Sequence, residues 1–227
     1  MEKEKFSKAI GIIGGAGPMA SAFLYSTIIE ICQKQYGSND YNEFPEIILE
    51  SYPFIRGEVE KIRQDIFLCF SKLKNAGADL FCIASNSFHG YLPDISSIAF
   101  VNLVSESLQE ASRCKVSKAL ILAAQTTIDL KLYEQSDLPC CYPPEKDQKL
   151  VQKLIREVAG GVIVEQQANA LKEMIESLRH QLHFDGIIIA CTELPLIHRR
   201  LPLSGVGFPI INTVEVLAKK LLTSARG

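Results

Sequence analysis

Short, almost unbroken aliphatic runs recur along this chain, and most are followed by a stretch of helical periodicity. The runs are AIGIIGG (9–15), EIILESYP (46–53), ADLFCIAS (78–85), ALILAAQ (119–125), GIIIAC (186–191) and FPIINT (208–213). Helical patterns fall at about Pro18 to Tyr36, 58–77, 146–161, 165–181 and 214–222. A strand that is apolar on every side chain has no face to give to water. It belongs in a parallel sheet covered by helices on both sides. The pattern predicts an α/β protein with two such series, and so two similar doubly wound parallel-sheet lobes. The expected boundaries are residues 1–100 plus 208–227 for the first lobe, with the last strand and helix crossing back, and 101–207 for the second.

Composition narrows what such a fold can do. The 227 residues are 47% hydrophobic and 22% charged, with a formal net charge of −2. That supplies ample material for a core and offers no basic stripe for a phosphate backbone, so nucleic acid is not an expected partner. No run approaches the ~20 apolar residues of a membrane span, and MEKEKFSK is a poor start for a signal peptide. Seven cysteines without CxxC spacing read as free thiols in a reducing, cytoplasmic compartment. No clustered Cys/His ligand set suggests a metal.

Two of the strands end alike. FCIASNSFHG (81–90) breaks from apolar residues into Ser85, Asn86 and Ser87. GIIIACTELP (186–195) breaks into Cys191 and Thr192. Ligands of parallel sheets bind beyond strand C-termini, so both ends are candidate sites facing a cleft between the lobes. Taken singly, Cys191 is better explained by a small buried hydrophobe than by a reactive thiol whose thiolate adjacent N–H groups could stabilise; the parallel with residues 83–87 shifts the balance. Asn86, Ser87 and Thr192 suit turns as well as carboxylate binding. Arg56 can be a bidentate carboxylate clamp or a solvated cation. His89 can orient a neighbour, donate a proton or merely satisfy its loop.

GGAGPMA (14–20) fits a GxGxxA dinucleotide fingerprint from Gly15 to Ala20. However, Pro18 removes one N–H from the phosphate cradle, and Glu50 lies too far along for a ribose acid. A small carboxylate at this helix N-terminus and a tight turn that simply requires glycine are the competing readings.

Together these residues resemble the aspartate/glutamate racemase superfamily. The ordered series runs nearly end to end: GIIGGAGPMA (11–20), GADLFCIASNSFH (77–89), ALILAAQTTIDLKLY (119–133), PPEKDQKLVQKLI (143–155), DGIIIACTELPLI (185–197) and PIINTVEVLAKKL (209–221). The resemblance implies two lobes related by pseudo-twofold symmetry, with the active site in the cleft between them. It also implies racemisation of aspartate or glutamate without pyridoxal phosphate or any other cofactor, and a homodimer. One base removes the α-proton and an acid on the opposite face returns one. By resemblance Cys191 is the second-lobe catalytic cysteine, and Ser85 stands where the first-lobe cysteine is expected. Asn86, Ser87, Thr127 and Thr192 match substrate-contacting positions, and Arg56 matches the side-chain carboxylate clamp.

The departures reshape the expected mechanism. The helix around 148–159 ends REVAGG, without the lysine usual in aspartate racemases. Ala124 replaces a common threonine and Asn212 a common aspartate. Cys82 lies three positions before Ser85, so strand alternation turns it to the other face. A serine hydroxyl is far less acidic than a thiol, whose pKa is ~8.5. Even a shortfall of ~4 units costs about 5 kcal/mol if Ser85 must be the base. The expectation is therefore a one-thiol enzyme: Cys191 as acid/base, with Ser85 or a water it holds at the opposite face. A related one-cysteine decarboxylase or isomerase, an impaired acidic amino-acid binding protein and, last, a dinucleotide oxidoreductase are the alternatives.

Overall fold

A computed structural model describes residues 6–55, 57–92, 95, 98–203 and 205–226. The chain divides into two compact units, Met1–Glu106 with Val214–Gly227, and Ser107–Thr213. Each is an α/β unit built on its own parallel sheet.

The first sheet has the order β2-β1-β3, from β1 (Ile10–Gly14), β2 (Ile47–Ser51) and β3 (Leu80–Ile83). The central β1 is buried throughout, as is β3. Helix α1 (Pro18–Tyr36) opens with proline at its first position, where no intrahelical N–H is needed, and closes on Gly37 in the left-handed region. Helix α2 (Val59–Asn75) turns Ile62, Ile66, Cys69, Phe70 and Leu73 inward against Ile13, Phe81 and Ile83. The segment around Phe100 adds a parallel bridge to Phe81 before α3 (Leu103–Arg113) begins.

The second sheet repeats the order with one strand more: β5-β4-β6-β7. Here β4 (Ala119–Ala123) and β6 (Gly186–Ala190) are wholly buried. β5 is a two-residue strand at Cys140–Cys141, and β7 spans Ile210–Asn212. The covering helices are α4 (Gln125–Asp129), α5 (Glu145–Ala159), α6 (Glu165–Leu182) and α7 (Leu194–Arg200). Strand β7 pairs with β6, Ile188 opposite Ile211, so it continues the second sheet. The sequence reading takes all of 208–227 into the first lobe. Only α8 (Thr213–Ala225) returns there, because the Ile210–Asn212 run finds its ladder beside β6.

One latch appears in both units. Asp79, just before β3, accepts the Ala9 N–H just before β1. Asp185, just before β6, accepts the Ser117 and Lys118 N–H groups just before β4. Each carboxylate ties the start of its third strand to the start of the central one, at the end opposite the candidate residues.

Candidate functional site

In the first unit the β1–β3 ladder ends with the Ala84 N–H on the Ile13 carbonyl. Ser85 and Asn86 follow, both buried, and Ser87 opens a single 3-10 turn to Tyr91. The Ser85 hydroxyl has Ser87 Oγ at 3.4 Å. His89, two residues along that turn, places Nδ1 2.8 Å from the Ser85 carbonyl, and its Nε2 accepts the Leu103 N–H at 3.1 Å. An Nε2 that accepts fixes the tautomer: the proton is on Nδ1 and is donated to Ser85. Loss of hydration holds the ring's pKa down at about 4, against the backbone bonds, so His89 is neutral and is no proton donor to a substrate.

In the second unit, register places Ala190 beside Ala123, and Cys191 begins the turn into α7. The Cys191 thiol is 4% exposed. Its Sγ–H donates to Glu193 Oε2 at 2.9 Å, and Thr192 Oγ1 donates to the same oxygen at 3.3 Å. Burial first, then the Glu193 charge and hydrogen bond, hold the thiol well above its ordinary pKa. The Glu193 and Leu194 N–H groups pull the other way, as the sequence suggests they should, and are outweighed. At rest Cys191 is a protonated thiol beside a carboxylate, not a thiolate.

Past the end of β4, the strand paired with β6, Thr127 lies in α4 and is 1% exposed. Its hydroxyl has no partner among the described residues. Gln148 on α5 donates Nε2 to the Ala123 carbonyl at 2.9 Å, leaving a buried Oε1 likewise without a partner. Gln152 adds a second donor to that carbonyl at 3.2 Å. The cations of α5, Lys146, Lys149, Lys153 and Arg156, all lie on its exposed side.

The predicted residues therefore fall in two groups. Ser85, Asn86 and Ser87 gather at the end of β3; Cys191, Thr192 and Thr127 gather at the ends of β6 and β4. Arg56 lies outside the described residues. Cys82 is fully buried within β3, and burial raises its thiol, so it does not substitute for the missing cysteine. Sequence reasoning left the roles of Glu193 and Gln148 unread. Glu193 carried a signal, a carboxylate two residues past a strand-end thiol; Gln148 carried only its place on a buried helix face. The glycine fingerprint has a packing reason. Gly15 has φ +96°, and a Cβ there would stand 2.1 Å from the Tyr52 carbonyl oxygen.

Two parallel α/β units thus carry a thiol hydrogen-bonded to a carboxylate beyond the third strand of one, and a cluster of hydroxyls beyond the third strand of the other. Residues 13–221 match the Asp/Glu/Hydantoin racemase family, and the chain belongs to that family. It is an enzyme of the amino-acid racemase type. The broad specificity amino-acid racemase RacX of Bacillus subtilis (strain 168) is 24% identical over 226 residues, covering 95% of this chain and 97% of its own. An aspartate racemase homologue from Pyrococcus horikoshii OT3 is 25% identical with TM-score 0.81, covering 97% of this chain and 100% of its own. The aspartate racemase of Picrophilus torridus shares the fold at TM-score 0.74 and 22% identity, covering 96% of this chain and 94% of its own. Among the described residues, no helix is long and apolar enough to cross a membrane, and no group of three or more His, Cys, Asp or Glu could hold a metal ion.

Proposed function

We propose that this enzyme racemises an amino acid by direct proton transfer at the α-carbon, with Cys191 as acid/base and Ser85, or a water it holds, serving the opposite face. The observation that carries the reading is the 2.9 Å Cys191–Glu193 pair. A protonated thiol is a competent donor to a carbanion. To act as a base it passes its proton to the Glu193 carboxylate, and the thiolate so formed takes the α-hydrogen. The electron pair left on the α-carbon delocalises into the α-carboxylate. Inversion is complete when a proton arrives from the Ser85 side. Thr192, Thr127, Asn86 and Ser87 are the proposed donors to the substrate carboxylate as charge builds on it, and the partnerless Thr127 hydroxyl supports that role.

The substrate class proposed first is acidic, aspartate or glutamate, with Arg56 clamping the side-chain carboxylate. This rests on the sequence resemblance and on the name of the Picrophilus relative. A wider range that includes neutral amino acids is the second reading. It is favoured by the outward-facing cations of α5, which leave that helix no charge for a second carboxylate, and by the broad specificity in the RacX name. Polarimetry on both enantiomers of aspartate, glutamate and alanine tests both. Racemisation of aspartate or glutamate alone supports the acidic reading, and comparable rates with alanine support the wider one. Undiminished activity in Cys191→Ala would remove the thiol from the mechanism. The homodimer and the cytoplasmic location expected from the sequence remain proposals of the same kind; size-exclusion chromatography with light scattering checks the first, and cell fractionation checks the second.

A further inference from the structure

The Ser85 face poses a physical problem that the Cys191 face does not. A hydroxyl is a poor proton-transfer group, so its usefulness depends on being held where the proton must arrive. Yet Ser85 stands past the last ladder bond, that of the Ala84 N–H to Ile13, and among the described residues its hydroxyl has only the long 3.4 Å approach of Ser87 Oγ. Its carbonyl, by contrast, is held firmly at 2.8 Å, and the donor is a side chain.

That side chain bridges two elements. The 3-10 turn closes through the His89 N–H on the Asn86 carbonyl at 3.1 Å, which brings the imidazole back under Ser85. Its Nε2 then accepts the N–H of Leu103, the first residue of α3. The Asn102 side chain accepts the next two N–H groups of that helix, from Val104 and Ser105, so imidazole and amide together satisfy three donors of the first turn. The ring also packs on Phe100 at 5.7 Å. Phe100 belongs to the segment bridged to β3, with the Phe81 N–H on Ala99 and the Val101 N–H on Phe81, both at 2.8 Å. The imidazole is thus fixed on three sides before it meets Ser85.

We infer that His89 is a positioning residue for the Ser85 face: its Nδ1–H holds the Ser85 peptide, and through it the hydroxyl, in the orientation that delivers the second proton. This rests on the proposed role of Ser85. Both ring nitrogens are occupied by backbone groups, so the imidazole itself carries no proton to or from the substrate. It acts through Ser85 and leaves the Cys191–Glu193 pair untouched.

The test separates the faces by NMR in D₂O. Exchange of the α-hydrogen without inversion reports Cys191 alone, whereas inversion needs both sides. In His89→Phe, inversion should fall on the order of tenfold to a hundredfold, the cost of a misplaced group. Exchange without inversion should stay within about twofold. Two further variants divide the imidazole's bonds. His89→Asn keeps an N–H near the Nδ1 position and can donate to Ser85, whereas His89→Gln places its amide near Nε2 and can accept from Leu103. Positioning predicts more inversion in the asparagine variant than in the glutamine variant, and this comparison stands if the phenylalanine variant fails to fold. Equal or reversed rates, or a parallel loss of exchange and inversion, would overturn the inference in favour of a purely structural histidine. Inversion unchanged in Ser85→Ala would instead overturn the role of Ser85 from which the inference starts.

Discussion

The ends of β3 and β6 hold the same topological address and different chemistry. Each follows the strand paired to the central strand of its sheet, and each of those strands begins with an aspartate latch to that central strand. At the far end the likeness stops. The β6 end carries a thiol whose proton already points at a carboxylate, a complete acid–base pair from residues two apart. The β3 end carries a hydroxyl with no ionisable partner among the described residues and a backbone braced by a neutral imidazole. A repeated scaffold fixes where a group stands without dictating what it is. One end pairs a thiol with a carboxylate, and the other braces the peptide that carries a hydroxyl.

Removing the thiol breaks the comparison most severely. Cys191→Ala should lower racemisation and α-hydrogen exchange together by about 10³-fold, the scale of a lost general acid/base, as measured by NMR and polarimetry. Making the two ends alike comes next. Ser85→Cys should raise inversion by roughly a hundredfold, since a thiol is the better proton carrier at neutral pH. Its effect on exchange without inversion should be much smaller.

Glu193→Gln sharpens the account of the β6 end. Removing the carboxylate takes away a charge and a hydrogen-bond acceptor, both of which raise the Cys191 pKa. The thiol should then titrate at lower pH, and the alkaline limb of the rate profile should move down with it. The rate at neutrality should drop by about tenfold, because the thiol proton has lost its acceptor. An unmoved limb would mean that burial alone sets the thiol.

The scaffold gives two smaller predictions. Gly15→Ala forces a Cβ toward the Tyr52 carbonyl oxygen from a left-handed backbone, and should cost about 1–3 kcal/mol by urea denaturation. Acid should weaken the fold through His89. Its folded pKa, about 4, lies below the ~6.5 of an unfolded histidine, so the unfolded chain binds the extra proton between those values. Stability from this group is intact above about 6.5 and is lost as pH falls toward 4. In His89→Phe that slope should flatten in pH-dependent melting.

Much of this could be read from the chain because the informative residues advertise themselves. Unbroken runs such as IGIIG and GIIIA have no polar face to offer and leave few folds open. Pro18 and the Gly37 and Gly77 stops mark helix ends by chemistry that acts locally. The strand-end positions of Ser85 and Cys191 follow from the same runs. What escaped the reading depends on contacts across the sequence. Strand β5 is two cysteines with no periodicity, and it exists because the Ala119 and Leu120 edge is open beside it. Strand β7 looked like a return to the first lobe because nothing in PIIN says which sheet will accept it. The tautomer of His89 is fixed by a Leu103 N–H fourteen residues away. The N–H groups beside Cys191, which could stabilise a thiolate, are visible in sequence. The burial and carboxylate geometry that outweigh them are not.

The central claim is that the two faces are unequal, and enantiomer-resolved α-hydrogen exchange in D₂O tests it most directly. Each enantiomer of aspartate, glutamate and alanine would be offered separately to the unaltered enzyme and to Ser85→Ala. The account predicts that one enantiomer exchanges faster than its mirror image, that Cys191 is required for this exchange, and that Ser85→Ala depresses inversion while sparing exchange without inversion. Equal exchange of both enantiomers, falling equally when Ser85 is removed, would contradict it.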